Sequence, residues 1–527
     1  MTTLTPRHQE IAVPAATADD FANDSDAGLI ERRRGYRSYT VFVVLFTCLG
    51  SASYGYAASI ISTTLGQPSF ITYMGLETRP NANGLIAAMV SLFYVGGIGG
   101  AFCHAWMSNA YGRKVSIIAG NTIVLIGGAL TTGAVNPAMF IVFRFVTGWG
   151  AFQSLASVPL WVGEIVPPRD RGRLVDIHAV QLNFGYTLAG YIGVGFYFFS
   201  GNEQWRAALS FVMLFPAILL AGIHWMPESP RYLLSKGRVE EAWAVVQRLR
   251  SDPQDPSNEY ADREFYQMRK QLELDATLKA SYLEICRRPS YRKRALITIY
   301  LFFSLVSSGV LVINSYGALL YSELGYDATG VLLLQAGWTL TGLVMNAVAM
   351  TFADKLPRPY LISLGFVLCT LTLIVEVALQ KNFLYTKHTG GLSAAVAMLF
   401  LFFIFYSLTL DGTSYFYIGE LWPSHLRAQG FTLALVTLCV INIAWVEAAP
   451  YAFAAIGWKY YIFFVVLSAL AAVVSFLTFP DTLHKPLEEI ALLFGDSDQV
   501  VVDQRQLAGA HLPRDMLNAE DAGMEKS

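Results

Sequence analysis

Twelve long apolar runs constrain this chain more than any other feature. A helix that crosses a bilayer needs about 20 predominantly apolar residues. Such runs lie at roughly residues 39–62, 84–107, 115–134, 138–163, 174–199 and 206–226, and again at 294–320, 328–352, 360–379, 393–417, 430–452 and 457–479. Backbone N–H and C=O groups in lipid must be satisfied within the protein. Runs this long and continuous satisfy them as helices, whereas a membrane barrel shows short alternating segments. The reading is an all-α polytopic membrane protein, with 12 transmembrane helices in two six-helix halves. Composition agrees: 54% of the residues are hydrophobic and 14% charged, against about 25% charged in a soluble domain. A soluble enzyme is thereby excluded. The net charge of −2 gives no bulk basic character for nucleic acid.

Charges in the loops set an orientation. Arg32, Arg33, Arg34 and Arg37 precede the first run, which places that end in the cytoplasm. Alternate loops then carry Arg113 and Lys114, Arg169, Arg171 and Arg173, Lys355 and Arg358, and Arg427. The intervening loops carry few: Arg79, Arg206, Lys381, Lys387 and Lys459. Both termini are expected to be cytoplasmic, with the first run acting as its own insertion signal and no cleaved signal peptide. The sequon Asn23-Asp24-Ser25 is then cytoplasmic and unmodified. Four cysteines (Cys48, Cys103, Cys369, Cys439) fall within runs and Cys286 in the central loop; they form no disulfide framework or metal spacing.

The two halves rhyme. After the second run stands Asn109-Ala110-Tyr111-Gly112-Arg113, and after the eighth Asp354-Lys355-Leu356-Pro357-Arg358. Glu164, Pro167 and Arg171 follow the fourth run as Glu420, Pro423 and Arg427 follow the tenth, and both Glu-to-Arg intervals are seven residues. Pro227-Glu228-Ser229-Pro230-Arg231 follows the sixth run and Pro480-Asp481-Thr482 the twelfth. Three paired signatures in one order make an internal repeat. Carriers built from such repeats place their site between them, near mid-membrane. The expected organisation is an N-tail (1–35), a first half (36–227), a cytoplasmic loop (228–291), a second half (292–480) and a C-tail (481–527). In the loop, apolar positions at helical spacing in Val239–Leu249 and Tyr260–Leu278 predict two to four short amphipathic helices. The tails, about 1–31 and 495–527, read as disordered.

The same signatures resemble the sugar porter family of the major facilitator superfamily, over about residues 36–495. The telling pieces are Tyr111-Gly112-Arg113-Lys114, Arg144-Phe145, Glu164…Arg171-Gly172, Pro227-Glu228-Ser229-Pro230-Arg231-Tyr232-Leu233-Leu234 and Glu420…Pro423…Arg427. The central loop and Arg427-Ala428-Gln429-Gly430 look most like fungal members. The resemblance implies the major facilitator fold and uptake of hexoses, polyols or disaccharides by alternating access. It also implies an ion-pair latch at the cytoplasmic helix ends, drawn here from Asn109, Arg113, Arg144, Glu164, Arg171, Glu228, Arg231, Asp354, Arg358, Glu420 and Arg427.

Departures from the family pattern bear on the solute. The family often has an acid after Gly-Tyr in its first helix; here Ala57 follows Gly55-Tyr56. Its sugar-binding glutamines align with Ala179 and Tyr186 in the fifth helix and with about Leu305 and Val306 in the seventh. Its helix 7 asparagine aligns near Leu311, its helix 10 tryptophan with Tyr415, and the preceding Gly-Pro with Asp411-Gly412. Several hydroxyl-binding amides are therefore missing, and buried sugar hydroxyls left unpaired are costly. The expected pocket is apolar and aromatic.

Remaining polar residues in the runs are the site candidates. For solute contact these are Gln153, Asn183, Tyr186, Asn314, Gln335, Tyr415 and Asn442; each could equally form an interhelical hydrogen bond. Acids within spans are expensive and mark functional sites by default, so Asp411 and Glu447 are the proton-coupling candidates, with Glu376 behind them. His104 and His178 read as structural. Gly96-Gly97-Ile98-Gly99-Gly100 lies within a run and no strand precedes it, so it reads as close helix packing and not as a phosphate loop. No catalytic, cofactor or metal motif is found. The expected partners are a small-molecule solute, protons and the lipid bilayer, for a monomer in the plasma membrane. The expected function is secondary active or facilitative transport of a sugar or related small organic solute; the rivals are a carrier, inward or outward, of a less hydroxylated metabolite and a nutrient-sensing receptor, for which the tails are short.

Overall fold

The computed structural model describes residues 38–166, 171–250, 281–323, 325–351, 355–384 and 388–483, with isolated positions in 261–269 and 485–495. The expectations for the two tails and for most of Tyr260–Leu278 lie outside the described residues.

Twelve helical spans are present among the described residues. In the first half they are α1 (Ser38–Leu65), α2 (Ala82–Ala110), α3 (Arg113–Thr132), α4 (Pro137–Ile165), α5 (Arg171–Tyr197) and α6 (Glu203–Trp225). In the second half they are α7 (Pro289–Val306, continued by Val310–Glu323), α8 (Ala328–Ala349), α9 (Arg358–Phe383), α10 (Thr389–Leu421), α11 (Arg427–Ile456) and α12 (Tyr460–Thr478). Length and apolarity alone single out 10 segments among the described residues. One of these, Arg427–Thr478, is α11 and α12 run together across a short turn in which Gly457 has φ 53°. The span that apolarity misses is α5, where Asp176, His178, Gln181 and Asn183 interrupt the apolar run.

Local chemistry sets the ends. The Asn136 side chain accepts a 2.8 Å bond from the Met139 N–H and caps α4, with Pro137 at the first helical position, where a missing N–H costs nothing. Asp327 caps α8 in the same way through the Gly330 N–H at 3.3 Å. Gly112 opens α3 at φ 108°, a conformation open to glycine alone, and a β-carbon there would strike the Glu228 carboxylate.

Small residues bring the spans together. A β-carbon on Gly96 or Gly100 would strike the Phe145 or Trp149 carbonyl, and one on Gly148 the Phe93 carbonyl. The glycine run of α2 is thus the seam with α4. Gly55 and Gly185 make the α1–α5 seam against the Leu182 and Ala52 carbonyls. Large exposed apolar side chains concentrate on α3, α6, α9 and α12, among them Ile126, Ile218, Leu371, Val466 and Leu477. Exposed apolar surface on that scale requires a lipid environment, and these four spans form its outer contact. The spans with most of their surface buried surround the centre.

The halves meet along two seams. One is α2 against α11, bonded near one end by Ser91 to Glu447 and near the other by the Thr432 hydroxyl to the Ala101 carbonyl at 2.9 Å. The other is α5 against α8, where Gly190 lies on Ala336 and Gly342 on Asn183. At the end that carries Arg113 and Glu164, the described residues of the loop include three short helices (Pro230–Ser235, Val239–Arg250, Tyr282–Arg287). The first two share a satellite core of Leu233, Leu234, Ala242 and Val246. Arg250 ties it to α4 by donating to the Ile165 carbonyl at 2.8 Å while pairing with Glu264 at 2.6 Å.

Candidate functional site

Two backbone irregularities shape the centre. Between Val306 and Val310, α7 breaks at Ser307-Ser308-Gly309, with Gly309 at φ 90°. In α10, the residues Ser407–Asp411 widen into a π-turn. Irregular backbone at membrane depth is tolerated where it lines a cavity, and π-turns gather at functional sites. Both features border one cavity between the halves. The first half contributes Tyr54 from α1, and Leu182, Asn183 and Tyr186 from α5. The second contributes Phe302, Leu305, Val306, Val310, Leu311 and Asn314 from α7, Trp338 from α8, Phe403, Tyr406, Asp411 and Tyr415 from α10, and Leu438 from α11.

Seven of these side chains are aromatic: Tyr54, Tyr186, Phe302, Trp338, Phe403, Tyr406 and Tyr415. Trp338 and Phe403 stack with centroids 3.7 Å apart at 12°, and Phe302 meets Tyr415 edge-on at 5.5 Å and 87°. The Trp338 indole N–H is satisfied by the Leu399 carbonyl at 3.2 Å, so its faces remain for packing. The aromatic, apolar wall expected from the missing amides is the wall observed: Leu305, Val306 and Leu311 stand in it.

Among the described residues Asp411 is the only acid in this lining, and no Lys, Arg or His joins it. Its Oδ2 accepts from the Asn183 amide of the other half at 2.8 Å and from the Asn346 amide of α8 at 3.0 Å. Each amide nitrogen also donates to the carbonyl four residues back, at 3.0 Å for Ala179 and 3.1 Å for Gly342. Both hydrogens of each amide are thus used, which fixes the orientation of the two side chains. The carboxyl group joins the two halves at the cavity wall.

The other candidates are distributed differently. Asn183, Tyr186, Asn314, Tyr415 and Asp411 line the cavity. Gln153 does not: it lies inside the first half and donates to the Ser116 carbonyl at 3.2 Å. Gln335 lies just behind the wall and donates to the Asn314 carbonyl at 3.1 Å. Asn442 is buried in α11 beside Tyr94, outside the lining. Gln153 and Gln335 thus bond a neighbouring helix, the alternative that helical spacing alone leaves open. Glu447 is half-buried outside the lining, where it accepts from Ser91. Glu376 is buried in α9 and accepts from Gln380 at 2.7 Å. His104 and His178 are buried and bonded through Nδ1 to Ser157 at 2.7 Å and Ser51 at 2.6 Å.

The expected latch is corrected in two ways. First, the two ion pairs described in it each lie within one half. Glu164 takes a bidentate pair from Arg113, both bonds 2.8 Å, plus the Ser229 hydroxyl at 2.5 Å. Glu420 pairs with Arg358 at 3.1 Å and accepts from Thr482 at 2.7 Å. Each glutamate thus takes a partner from the preceding basic loop, Arg113 for Glu164 and Arg358 for Glu420. Second, Arg144 is no member. It precedes Glu164 by 20 residues on the same helix, about 30 Å along the axis. There it donates to the Ala57 carbonyl at 2.6 Å and lies over the Phe93 ring, 4.4 Å from its centroid.

Glu228 accepts from the Arg113 and Lys114 N–H groups at 3.2 and 3.3 Å, closing the start of α3. Burial pushes its carboxyl above the ordinary carboxylate range, against the lowering effect of these bonds. Arg231 lies near Glu164. Asn109 is exposed and takes no bond in the cluster. Arg427 is buried beside Gly163, Val175 and Glu420 at the junction of the halves. Asp354 and the Arg171 side chain lie outside the described residues.

Sequence reasoning missed Asn346, Trp338, Phe403 and Tyr406. In an aromatic-rich chain nothing marks which rings turn inward. Asn346 gains meaning only when α8 is placed beside the π-turn of α10.

Comparison with known proteins gives one consistent result. The profile of the family described as "Sugar (and other) transporter" matches residues 43–494. The MFS-type transporter criB of Aspergillus cristatus is 31% identical over 448 residues, covering 85% of this chain and 91% of that protein. The high-affinity glucose transporter of Kluyveromyces lactis is 26% identical, covering 87% and 86%. Among solved structures, the proton:xylose symporter XylE bound to 6-bromo-6-deoxy-D-glucose superposes with a TM-score of 0.76 at 20% identity, covering 87% of this chain and 100% of that one.

Proposed function

The chain belongs to the sugar porter family of the major facilitator superfamily, and from that premise we propose that it carries a small organic solute poorer in hydroxyls than a hexose, by alternating access through the central cavity. The protein is an integral, multi-pass membrane transporter and not an enzyme. One observation carries the finer reading: the cavity between the halves has an aromatic wall and a single carboxyl, Asp411, bonded across the halves to Asn183.

The halves rock about the cavity, opening it to one face and then the other. Asp411 is the coupling carboxyl, since it alone among the intramembrane acids considered faces the cavity while bonding both halves. A change in its protonation alters a bond that crosses the interface, which ties charge to conformation. Ala57, in place of the first-helix acid, leaves this role to α10. The basic loop end is cytoplasmic, both termini lie on that side, and the protein acts as a monomer in the plasma membrane. The pairs Arg113–Glu164 and Arg358–Glu420 staple the cytoplasmic rim of each half, so that each half moves as a body.

The test is uptake of a labelled panel of sugars, polyols and less hydroxylated ring compounds by cells without hexose carriers of their own. The expected result is saturable uptake of at least one member, with a pH dependence that Asp411→Asn removes. No uptake of any member despite correct surface expression contradicts the importer. Outward transport of a metabolite is the second reading, favoured by the same apolar wall. A deletion strain would then lose a compound from its medium.

A further inference from the structure

We propose that the central cavity takes an organic cation, an amine or quaternary ammonium on a compact apolar body, with its charge against Asp411 and its body against the aromatic wall. This rests on the reading that the cavity is the transport site, and it names the class of solute.

Charge is the first argument. The lining holds one carboxyl and no Lys, Arg or His. A carboxylate away from water requires a cationic partner or its neutralisation by a proton. The protein supplies it with two neutral amides, both directed at Oδ2. Asp411 lines the cavity, and among the described residues no donor bonds its Oδ1.

Hydrogen-bond polarity is the second. The Asn183 and Asn346 amide hydrogens are committed to Asp411 and to the carbonyls of Ala179 and Gly342. The Oδ1 atoms of both asparagines are buried with no donor. The two amides beside Asp411 have therefore used their donors; the other polar groups of the lining are Asn314 and the hydroxyls of Tyr54, Tyr186, Tyr406 and Tyr415. A sugar hydroxyl is donor and acceptor at once and needs both kinds of partner. An ammonium is donor only, and a quaternary ammonium needs charge alone. An anionic solute meets a like charge.

The wall is the third. Trp338, Phe403, Tyr406, Tyr186 and Tyr415 share the cavity with Asp411. Aromatic faces attract cations, most strongly where water is excluded. The lining holds two amides, Asn183 and Asn314, the first already bonded to Asp411, and its aromatic faces suit a cation with an apolar body.

Protons compete for the same oxygen. The titratable groups near Asp411 are Tyr186 on α5 and Tyr406 and Tyr415 on α10, with Asp176 of α5 against the adjacent Gly412; behind them His178 packs on Tyr415 and Cys369 lies near Tyr406, while α8 presents the neutral Asn346. Asp411 Oδ1 cannot hold a proton and bind a cation at once. Solute and proton therefore bind in turn, and the carrier exchanges one for the other.

The experiment uses the full chain, purified and reconstituted in liposomes, with labelled choline as the transported probe. Competitors are phenyltrimethylammonium, its permanent charge on an aromatic body, and 3,3-dimethylbutanol, the neutral isostere of choline. D-glucose and benzoate are transported probes in parallel. The expected result is saturable choline uptake that external acid slows, with phenyltrimethylammonium competing roughly tenfold or more better than the alcohol. Asp411→Asn lowers choline uptake by about 30-fold or more. Tyr406→Leu, which keeps the carboxyl, raises the choline KM with little change in maximal rate. Both variants are first required to elute as a single monodisperse species. Uptake of glucose or benzoate without choline overturns the cation assignment and leaves the carrier reading standing. Uptake of no probe by monodisperse, reconstituted protein counts against both. Choline uptake undiminished in Asp411→Asn also overturns the assignment.

Discussion

Glu164→Gln is the substitution whose consequence follows most directly from the contacts. Glu164 is 4% exposed and accepts three bonds: two of 2.8 Å from Arg113 and one of 2.5 Å from Ser229. Glutamine keeps the shape but presents one acceptor where there were two, and turns an N–H toward the guanidinium. It also leaves Arg113, with an 11% exposed side chain, without its counter-charge. Breaking a buried pair from one side costs about 3–5 kcal/mol. Even the lower figure is roughly a hundredfold in the ratio of folded to unfolded protein. The assay is survival of monodisperse protein over a detergent heat series, with Glu420→Gln and the double variant in parallel. Because the two pairs lie in different halves, the double variant should lose the sum of the single losses to within about 0.5 kcal/mol. An unchanged Glu164→Gln protein would refute the energetic argument. A marked departure from additivity would refute the assignment of one staple to each half and restore a latch between them.

Three further outcomes follow. Gly148→Val should abolish recovery of folded protein in fluorescence-detected size exclusion, because the added carbons would strike the Phe93 backbone on the α2–α4 seam; a normal elution profile would show that the seam can spread. Glu228 has its folded pKa raised above the unfolded value by burial. Its contribution is therefore most favourable at acid pH and is lost as pH rises through the folded value. Melting curves from pH 4 to 8 should show the wild type losing stability relative to Glu228→Gln toward the upper end, and parallel curves would contradict this. Asn346→Ala removes one of two donors from Asp411 Oδ2. Such bonds to a charged group contribute about 1.5–3 kcal/mol, so the uptake–pH profile should shift while surface expression holds; an unmoved profile would show that Asn346 has no hold on Asp411.

The twelve spans are legible because lipid imposes a length and an apolarity on each, and the repeated loop signatures give their order. The two places where apolarity alone falters have plain causes. In α5 the polar side chains that face the centre dilute the run. At Gly457 a turn too short to register separates two apolar helices. Asp411 could be singled out because an acid in lipid is costly wherever it stands. Its partner Asn346 could not, since that pairing depends on the rotation of α8 and on the π-turn at Ser407–Asp411, and both are set by packing. Arg144 went astray because charge clustering in sequence carries no information on depth along a helix. Gln153, Gln335 and Asn442 share one lesson: on a helix buried on several sides, a polar side chain has several inward faces to choose from, and only the neighbours decide.

Alternating access requires the α2–α11 seam to open, and Thr432 bonds to Ala101 across it at 2.9 Å. The most direct measurement is solute counterflow in liposomes carrying Ala101→Cys/Thr432→Cys, with Cys103 replaced by serine, before and after oxidation. The account predicts that a verified cross-link stops counterflow and that a reductant restores it. Undiminished counterflow in the cross-linked protein would show that solute moves without the halves parting at this seam, and would contradict the mechanism.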